Sequence, residues 1–230
     1  MTALEAISYS HAGQALTGWL ARPQGPARAA VILFPTIANY NPPMERRARM
    51  LAGLGYLVMI ADFYGKEASR SLADTLRADV TYYRGRIAAA IAALRGGPEA
   101  AGLPMLGIGY CMGGQAVLEA ARDGQDLLAA VSFHGILATG KPAEPGAVRA
   151  RLLICHGDAD PLVPREQVMA FWDEMDRAGA DWHFHAYSGV RHGFTDPGSD
   201  TRGVDAVKHN ASADRQSWAA MLSLFGEVLG

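Results

Sequence analysis

Met105-Leu106-Gly107-Ile108-Gly109-Tyr110-Cys111-Met112-Gly113-Gly114 decides how the rest of the chain is read. Residues 105–108 are an apolar run of strand length, and residues 115–122 carry a helical pattern. The chain therefore turns sharply from strand to helix, with Cys111 at the apex. Backbones cross this closely only where the residues two before and two after the apex are small, and Gly109, Gly113 and Gly114 meet that demand. The new helix aims its first amides at the sulfur, which favours the reactive thiolate. Taken alone, the stretch fits equally well a structural cysteine beside glycines that merely pack a helix on a sheet.

Outward from this turn, strands and helices alternate. Residues 29–34 are a continuous apolar run stopped by Pro35, as expected of a strand buried on both faces. Further buried strands fall at residues 57–60, 129–133 and 152–155, and residues 182–187 alternate as a half-buried strand does. Residues 6–9 and 15–20 read as a hairpin turned through His11-Ala12-Gly13-Gln14. Helical spacing covers residues 44–53, with Gly53 and Gly55 suiting the C-cap. One long amphipathic helix is expected at residues 74–95, stopped by Gly96-Gly97-Pro98. Another is entered at Pro161 and runs to residue 176, and residues 204–228 are mainly helical.

This alternation implies βαβ units with right-handed crossovers: a mostly parallel, twisted sheet with helices on both faces. Residues 139–146 read as a surface loop. No internal repeat or linker divides the chain, so residues 1–230 read as one α/β domain.

Half of the 230 residues are hydrophobic, enough for a sizeable core. A net charge of -2 leaves no basic surplus for a polyanion, which argues against nucleic acid as a partner. The densest basic cluster, Arg46, Arg47 and Arg49, reads as a solvated helix face. No segment reaches the roughly 18 apolar residues of a membrane span. Met1-Thr2-Ala3-Leu4-Glu5 lacks the pattern of a secretory leader. The two cysteines, Cys111 and Cys155, are too few for a disulfide framework or a structural zinc site. A reducing, cytoplasmic compartment fits best and would keep a reactive thiol free. Cys155 shares its apolar run with Leu152, Leu153 and Ile154 and reads as a core thiol.

Two further motifs favour the catalytic reading of Cys111. Cys155-His156-Gly157-Asp158-Ala159-Asp160-Pro161 follows a buried strand, where a carboxylate suits the task of orienting an imidazole. Asp160 is preferred, because Pro161 holds the backbone extended and opens the next helix. Asp158 is better suited to cap the turn. Val190-Arg191-His192-Gly193-Phe194 follows the alternating strand and offers His192 as the base. Nucleophile, acid, then histidine is the chain order of α/β-hydrolases. All three fall where parallel strands should end, the side on which such sheets bind ligands. His183 and His185 share a strand face but find no third ligand at suitable spacing, so no metal is expected, nor any organic cofactor. His11 and His209 read as surface residues.

With these residues in hand, the chain resembles the dienelactone hydrolase family, a cysteine-bearing branch of the α/β-hydrolases, over about residues 15–225. The likeness is strongest in Gly109-Tyr110-Cys111-Met112-Gly113-Gly114, His156-Gly157-Asp158-Ala159-Asp160 and Arg191-His192-Gly193-Phe194. Ala61-Asp62-Phe63-Tyr64-Gly65, Ser132-Phe133-His134-Gly135 and the stretch around Trp218 add to it. The resemblance implies an α/β-hydrolase fold and hydrolysis of an ester or lactone. Two positions depart from the family. Its type enzyme carries a glutamate that contacts and activates the resting thiol; here the aligned residue is Thr36, which cannot take a thiol proton. Four residues after the histidine, an arginine that holds a substrate carboxylate is replaced by Asp196, which would repel one. Hydrolase chemistry thus carries over more readily than dienelactone as the substrate. Arg84 and Arg86 are alternative cations.

The expected mechanism is attack of the Cys111 thiolate on a carbonyl, giving a thioester. The amides of Met112 and of Ile37, on the loop after the first buried strand, hold the oxyanion. Asp160 orients His192, which then activates water. Thr36, Tyr64, Tyr110, His134 and Phe194 are the expected pocket walls. A thiolate leaves easily, so the substrate must carry a group that leaves more easily still: an enol lactone, an aryl ester or a thioester. Competing readings are an acyltransferase or thioesterase on the same three residues and a ligand-binding protein that kept the fold and lost turnover. A redox-sensing Cys111 is weakened by the lack of a nearby resolving cysteine.

Overall fold

A computed structural model describes residues 4–230; Met1, Thr2 and Ala3, part of the stretch read for a secretory leader, lie outside the described residues. Eight strands form one sheet in the order β1-β2-β4-β3-β5-β6-β7-β8. They are β1 (Glu5–His11), β2 (Gln14–Ala21), β3 (Ala29–Phe34), β4 (Tyr56–Ile60), β5 (Met105–Tyr110), β6 (Ala129–Phe133), β7 (Arg151–Gly157) and β8 (Trp182–Tyr187). The β1–β2 hairpin joins antiparallel to β4, and the remaining strands run parallel. The helices are α1 (Pro42–Gly53), α2 (Arg70–Ala78), α3 (Val80–Arg95), α4 (Met112–Arg122), α5 (Arg165–Ala178) and α6 (Ala211–Leu229). This is the α/β-hydrolase architecture. No helix of the described residues is long and apolar enough to cross a membrane.

β3 shows why the apolar runs are unbroken. Ala30, Ile32 and Phe34 pack into a core formed with α2 to α5, whereas Ala29, Val31 and Leu33 pack into a second core with α1 and α6. Alternate side chains on a strand point to opposite faces, so a strand covered on both faces must be apolar at every position. Each fully buried aliphatic side chain contributes roughly 1.5–3 kcal/mol.

The chain leaves β3 for β4 on one side and later returns to place β5 on the other. The carboxyl ends of β3 and β5 therefore flank a topological switch point, where crossovers diverge and leave a crevice. The loop beginning at Pro35 and the turn at Cys111 both open there.

Four sequence readings change. The helix expected over residues 74–95 is two helices, α2 and α3, broken at Asp79. Asp79 is extended, and its carboxylate accepts from the Thr81 and Tyr82 amides at 3.0 Å each; an aspartate is worth more as a cap than inside a helix. Residues 161–164 form a turn, held by the Leu162 amide donating to Asp160 Oδ1 at 2.9 Å, and α5 starts only at Arg165. Residues 204–210 are not helical: Val207 bridges to His192, and α6 starts after the Asn210 cap. Finally, Arg47 is not solvated. It is 3% exposed, between the rings of Tyr110 and Trp218, and donates to the Thr195 carbonyl and the Asp214 carboxylate. Arg46 is exposed, as read, and Arg49 pairs with Glu45.

Candidate active site

Cys111 stands between β5 and α4 with φ 56° and ψ -116°, a backbone conformation that costs a non-glycine residue strain. The crossing around it is as tight as the sequence demanded. A Cβ on Gly109 would lie 1.8 Å from the Gly113 carbonyl oxygen, and one on Gly113 2.0 Å from that of Phe34. The Cys111 amide donates to the Phe133 carbonyl at 3.0 Å, which fixes the apex against β6. The thiol is half-buried and free.

Burial pushes the Cys111 thiol up. The hydrogen-bonding and charge influence of His192, with the amides of Met112 and Ile37, more than offsets this and holds it below its ordinary value. The two amides named from the sequence thus both face the sulfur. Cys155, by contrast, is fully buried in β7, and burial, against an opposing hydrogen bond with Tyr187, pushes its thiol up to about 12.

His192 is 3% exposed. Its Nδ1 meets Asp160 Oδ2 at 2.7 Å, and its backbone is clamped by Ala206 and Lys208. Burial disfavours the charged ring, but Asp160 and Cys111 reverse that and raise it from 6.5 to about 10. Nε2 is buried and meets no group with good hydrogen-bond geometry, although it lies within the influence of the Cys111 thiol. Asp158 is elsewhere, paired with exposed Arg165 at 2.8 Å. The structure therefore brings Cys111, His192 and Asp160 together.

A cavity of about 510 Å³ opens beside Cys111 and His192. Ile37, Pro42, Met44, Met112, Ile136, Leu162 and Val207 make its walls mainly apolar. Thr36 and His134 line it as expected. Tyr64, Tyr110 and Phe194 do not. Tyr110 alternates onto the α6 side of the sheet and stacks on Phe133 at 4.6 Å. Phe194 is enclosed between His134 and Tyr187. Tyr64 is buried behind the wall, and its hydroxyl donates to the Ile37 carbonyl at 3.1 Å and reaches Met112 Sδ at 3.4 Å. A larger hollow of about 910 Å³, between Leu4, Arg22 and Gly55, lies at the amino ends of β3 and β4 and contains none of these residues.

The cations were misread. Arg84 is buried against Glu119, and Arg86 donates to the Phe63 carbonyl and the Tyr82 hydroxyl, so neither reaches the cavity. Arg70, Arg77 and Arg202 line it instead. Their signal was concealed because Arg70 precedes the helix expected from residue 74 and Arg202 sits in an irregular loop. Asp196 also lines the cavity, but Arg202 pairs with it, so it does not stand as a bare negative charge. His183 and His185 are exposed on β8, in a shallow groove that holds Glu227. His11 and His209 are half-buried, the first against the Tyr82 ring and the second 3.8 Å from Asp214.

Missed altogether was the support of the Thr36–Ile37 loop. Asn39 adopts φ 60°, and its side chain donates to Asp62 Oδ1 at 2.8 Å and accepts from the Phe63 amide at 3.1 Å. Asp62, 4% exposed, also accepts from the amides of Thr17, Tyr64 and Gly65.

The chain as a whole is similar to known proteins. The sequence profile described as the dienelactone hydrolase family matches residues 16–229. The solved structure of m3DLH is 35% identical with a TM-score of 0.92, covering 98% of each chain. A dienelactone hydrolase-like promiscuous phosphotriesterase from metagenomic libraries is 33% identical with a TM-score of 0.92, covering 100% of each chain. An uncharacterized protein of Caenorhabditis elegans is 34% identical over 146 residues, which is 62% of this chain and 92% of that protein.

Proposed function

The chain belongs to the dienelactone hydrolase family and is a hydrolase; from that premise we propose that it cleaves activated carboxylic esters or enol lactones through Cys111, His192 and Asp160. The observation that carries this reading is the convergence on one sulfur of the Asp160-oriented His192 and the amides of Met112 and Ile37. The thiolate attacks the carbonyl carbon, and the two amides receive the oxyanion. Each such donor is worth about 2.7–4 kcal/mol of transition-state stabilisation. His192 protonates the leaving oxygen, a thioester remains on Cys111, and water releases the acid.

Sulfur limits the substrates. The tetrahedral adduct expels the better leaving group, so aryl esters, enol lactones and thioesters go forward, while amides and simple alkyl esters return. The apolar walls suit an apolar acyl body, and Arg70 and Arg77 suit an anionic end. The steps use side chains and backbone amides of the protein, and water. A reducing, cytoplasmic setting would keep Cys111 free. The phosphotriester is a second substrate class to test, because a protein 33% identical over its full length is named a promiscuous phosphotriesterase.

The test is p-nitrophenyl acetate hydrolysis by the wild type and Cys111→Ala, followed by enol lactones, an anilide and an aryl phosphotriester. Loss of turnover in Cys111→Ala with esters preferred over the anilide is expected. Equal rates in both proteins would overturn the nucleophile assignment.

A further inference from the structure

His134 is buried at the end of β6 with φ 41°, in the left-handed region that a bulky residue rarely adopts. Asn39, Cys111 and His134 share this strain, and all three surround the cavity or its supporting loop. Strain that the surrounding structure maintains is a pointer to function. The His134 ring packs edge to face against His192 at 5.1 Å, and its Nε2 lies 2.9 Å from the Thr195 hydroxyl. Burial, with the charge of His192 in the same sense, keeps the His134 ring neutral.

A neutral imidazole has one donor and one acceptor nitrogen. Its own carbonyl is the one backbone acceptor that acts on the ring, and Nδ1 meets no other hydrogen-bond partner among the described residues, which favours Nδ1 as the protonated nitrogen. Nε2 is then the acceptor, and the Thr195 hydroxyl donates its proton to it. Thr195 lines the same cavity as Cys111 and His192, and once its proton is given to His134 its hydroxyl oxygen has only lone pairs left to offer. Thr195 is itself rigid: it is 3% exposed, and its carbonyl accepts from Arg47 at 2.8 Å.

We propose that Thr195, oriented by His134, holds the water that cleaves the acyl-enzyme. The inference rests on Cys111 being the nucleophile. Once the leaving group has taken the proton of His192, the buried Nε2 is an acceptor as well. A water between Nε2 and Thr195 Oγ1 donates one hydrogen to each and turns a lone pair toward the thioester. Its oxygen bonds to the carbonyl carbon and its proton passes to Nε2. The carbon–sulfur bond then breaks, the electron pair returns to sulfur, and thiolate and imidazolium are restored as the carboxylic acid departs. Thr195 is thus a catalytic residue of deacylation, and His134 a positioning residue.

Stopped-flow kinetics with p-nitrophenyl acetate, together with intact-protein mass spectrometry of the acetyl adduct, test this. Thr195→Val should keep the burst of p-nitrophenol but prolong the Cys111 adduct about tenfold or more, the kinetic equivalent of one lost hydrogen bond. Thr195→Ser should restore the adduct lifetime. His134→Asn, whose side chain tolerates the left-handed backbone, should prolong it as Thr195→Val does. Wild-type adduct lifetimes in Thr195→Val, or acylation and deacylation falling together, would overturn the proposal. No adduct on Cys111 in the wild-type protein would overturn the nucleophile reading itself, and this inference with it.

Discussion

The hydroxyl of Tyr64 donates to the carbonyl oxygen of Ile37 at 3.1 Å. It also touches Met112, so one side chain braces both residues whose amides face the Cys111 sulfur. Tyr64→Phe keeps the buried ring and removes the brace. The kcat for p-nitrophenyl acetate should fall about 2–10-fold, the worth of one ordinary hydrogen bond, with KM little changed. Steady-state kinetics decide; an unchanged kcat would mean that Asn39 and Asp62 hold the loop unaided.

Thiol reactivity should follow the ion pair. Despite burial, the Cys111 thiol is held below its ordinary value of 9.0, and His192 is raised from 6.5 to about 10. Thiolate and imidazolium therefore coexist from a midpoint below pH 9.0 up to about pH 10. Iodoacetamide labelling of Cys111 should rise with pH through that lowered midpoint, while Cys155 stays unlabelled. Asp160→Asn removes the charge that supports the imidazolium, so its labelling midpoint should move up. A wild-type midpoint at or above 9.0 would contradict the ion pair.

Arg70 is exposed at the cavity and takes no carboxylate partner among the described residues. Arg70→Ala should lower kcat/KM for an aryl ester carrying a carboxylate about 2–5-fold relative to a neutral ester, as expected of an exposed charge contact. The difference should shrink in added salt. Equal effects on both esters would remove Arg70 from substrate recognition.

Gly113→Ala sets a Cβ 2.0 Å from the Phe34 carbonyl oxygen, which is backbone and cannot swing aside. Overpacking of this kind costs about 1–3 kcal/mol or more. The melting temperature should drop by roughly 2–12 °C, measured by calorimetry. A melt equal to that of the wild type would show that the elbow can spread.

Much of the site was legible because its constraints are local. A strand, a cysteine and three glycines define a turn without reference to anything distant, and Asp160 and His192 follow strands that announce themselves by composition. The sheet was legible for the same reason, since β3 is apolar at every position. What stayed hidden depends on partners far away in sequence. Arg47 looks like any helix-surface arginine until Asp214 and Thr195 arrive beside it. The stretch holding Asp62 and Tyr64 shows only a family likeness in sequence, and only folding sets Tyr64 against Ile37 and Asp62 against Asn39. Asp79 was read as one more helix residue because periodicity ignores the gain from capping.

Arg47 ties the final helix to the wall of the reaction chamber. It links Asp214 of α6 to the carbonyl of Thr195 through a single guanidinium. Asp214 does not itself line the cavity, so the chamber wall depends on an ion pair outside it. Altered selectivity can be sought at the exposed residues Ala211 and Ser212 that flank this link, rather than around Cys111, where glycine backbones leave no room.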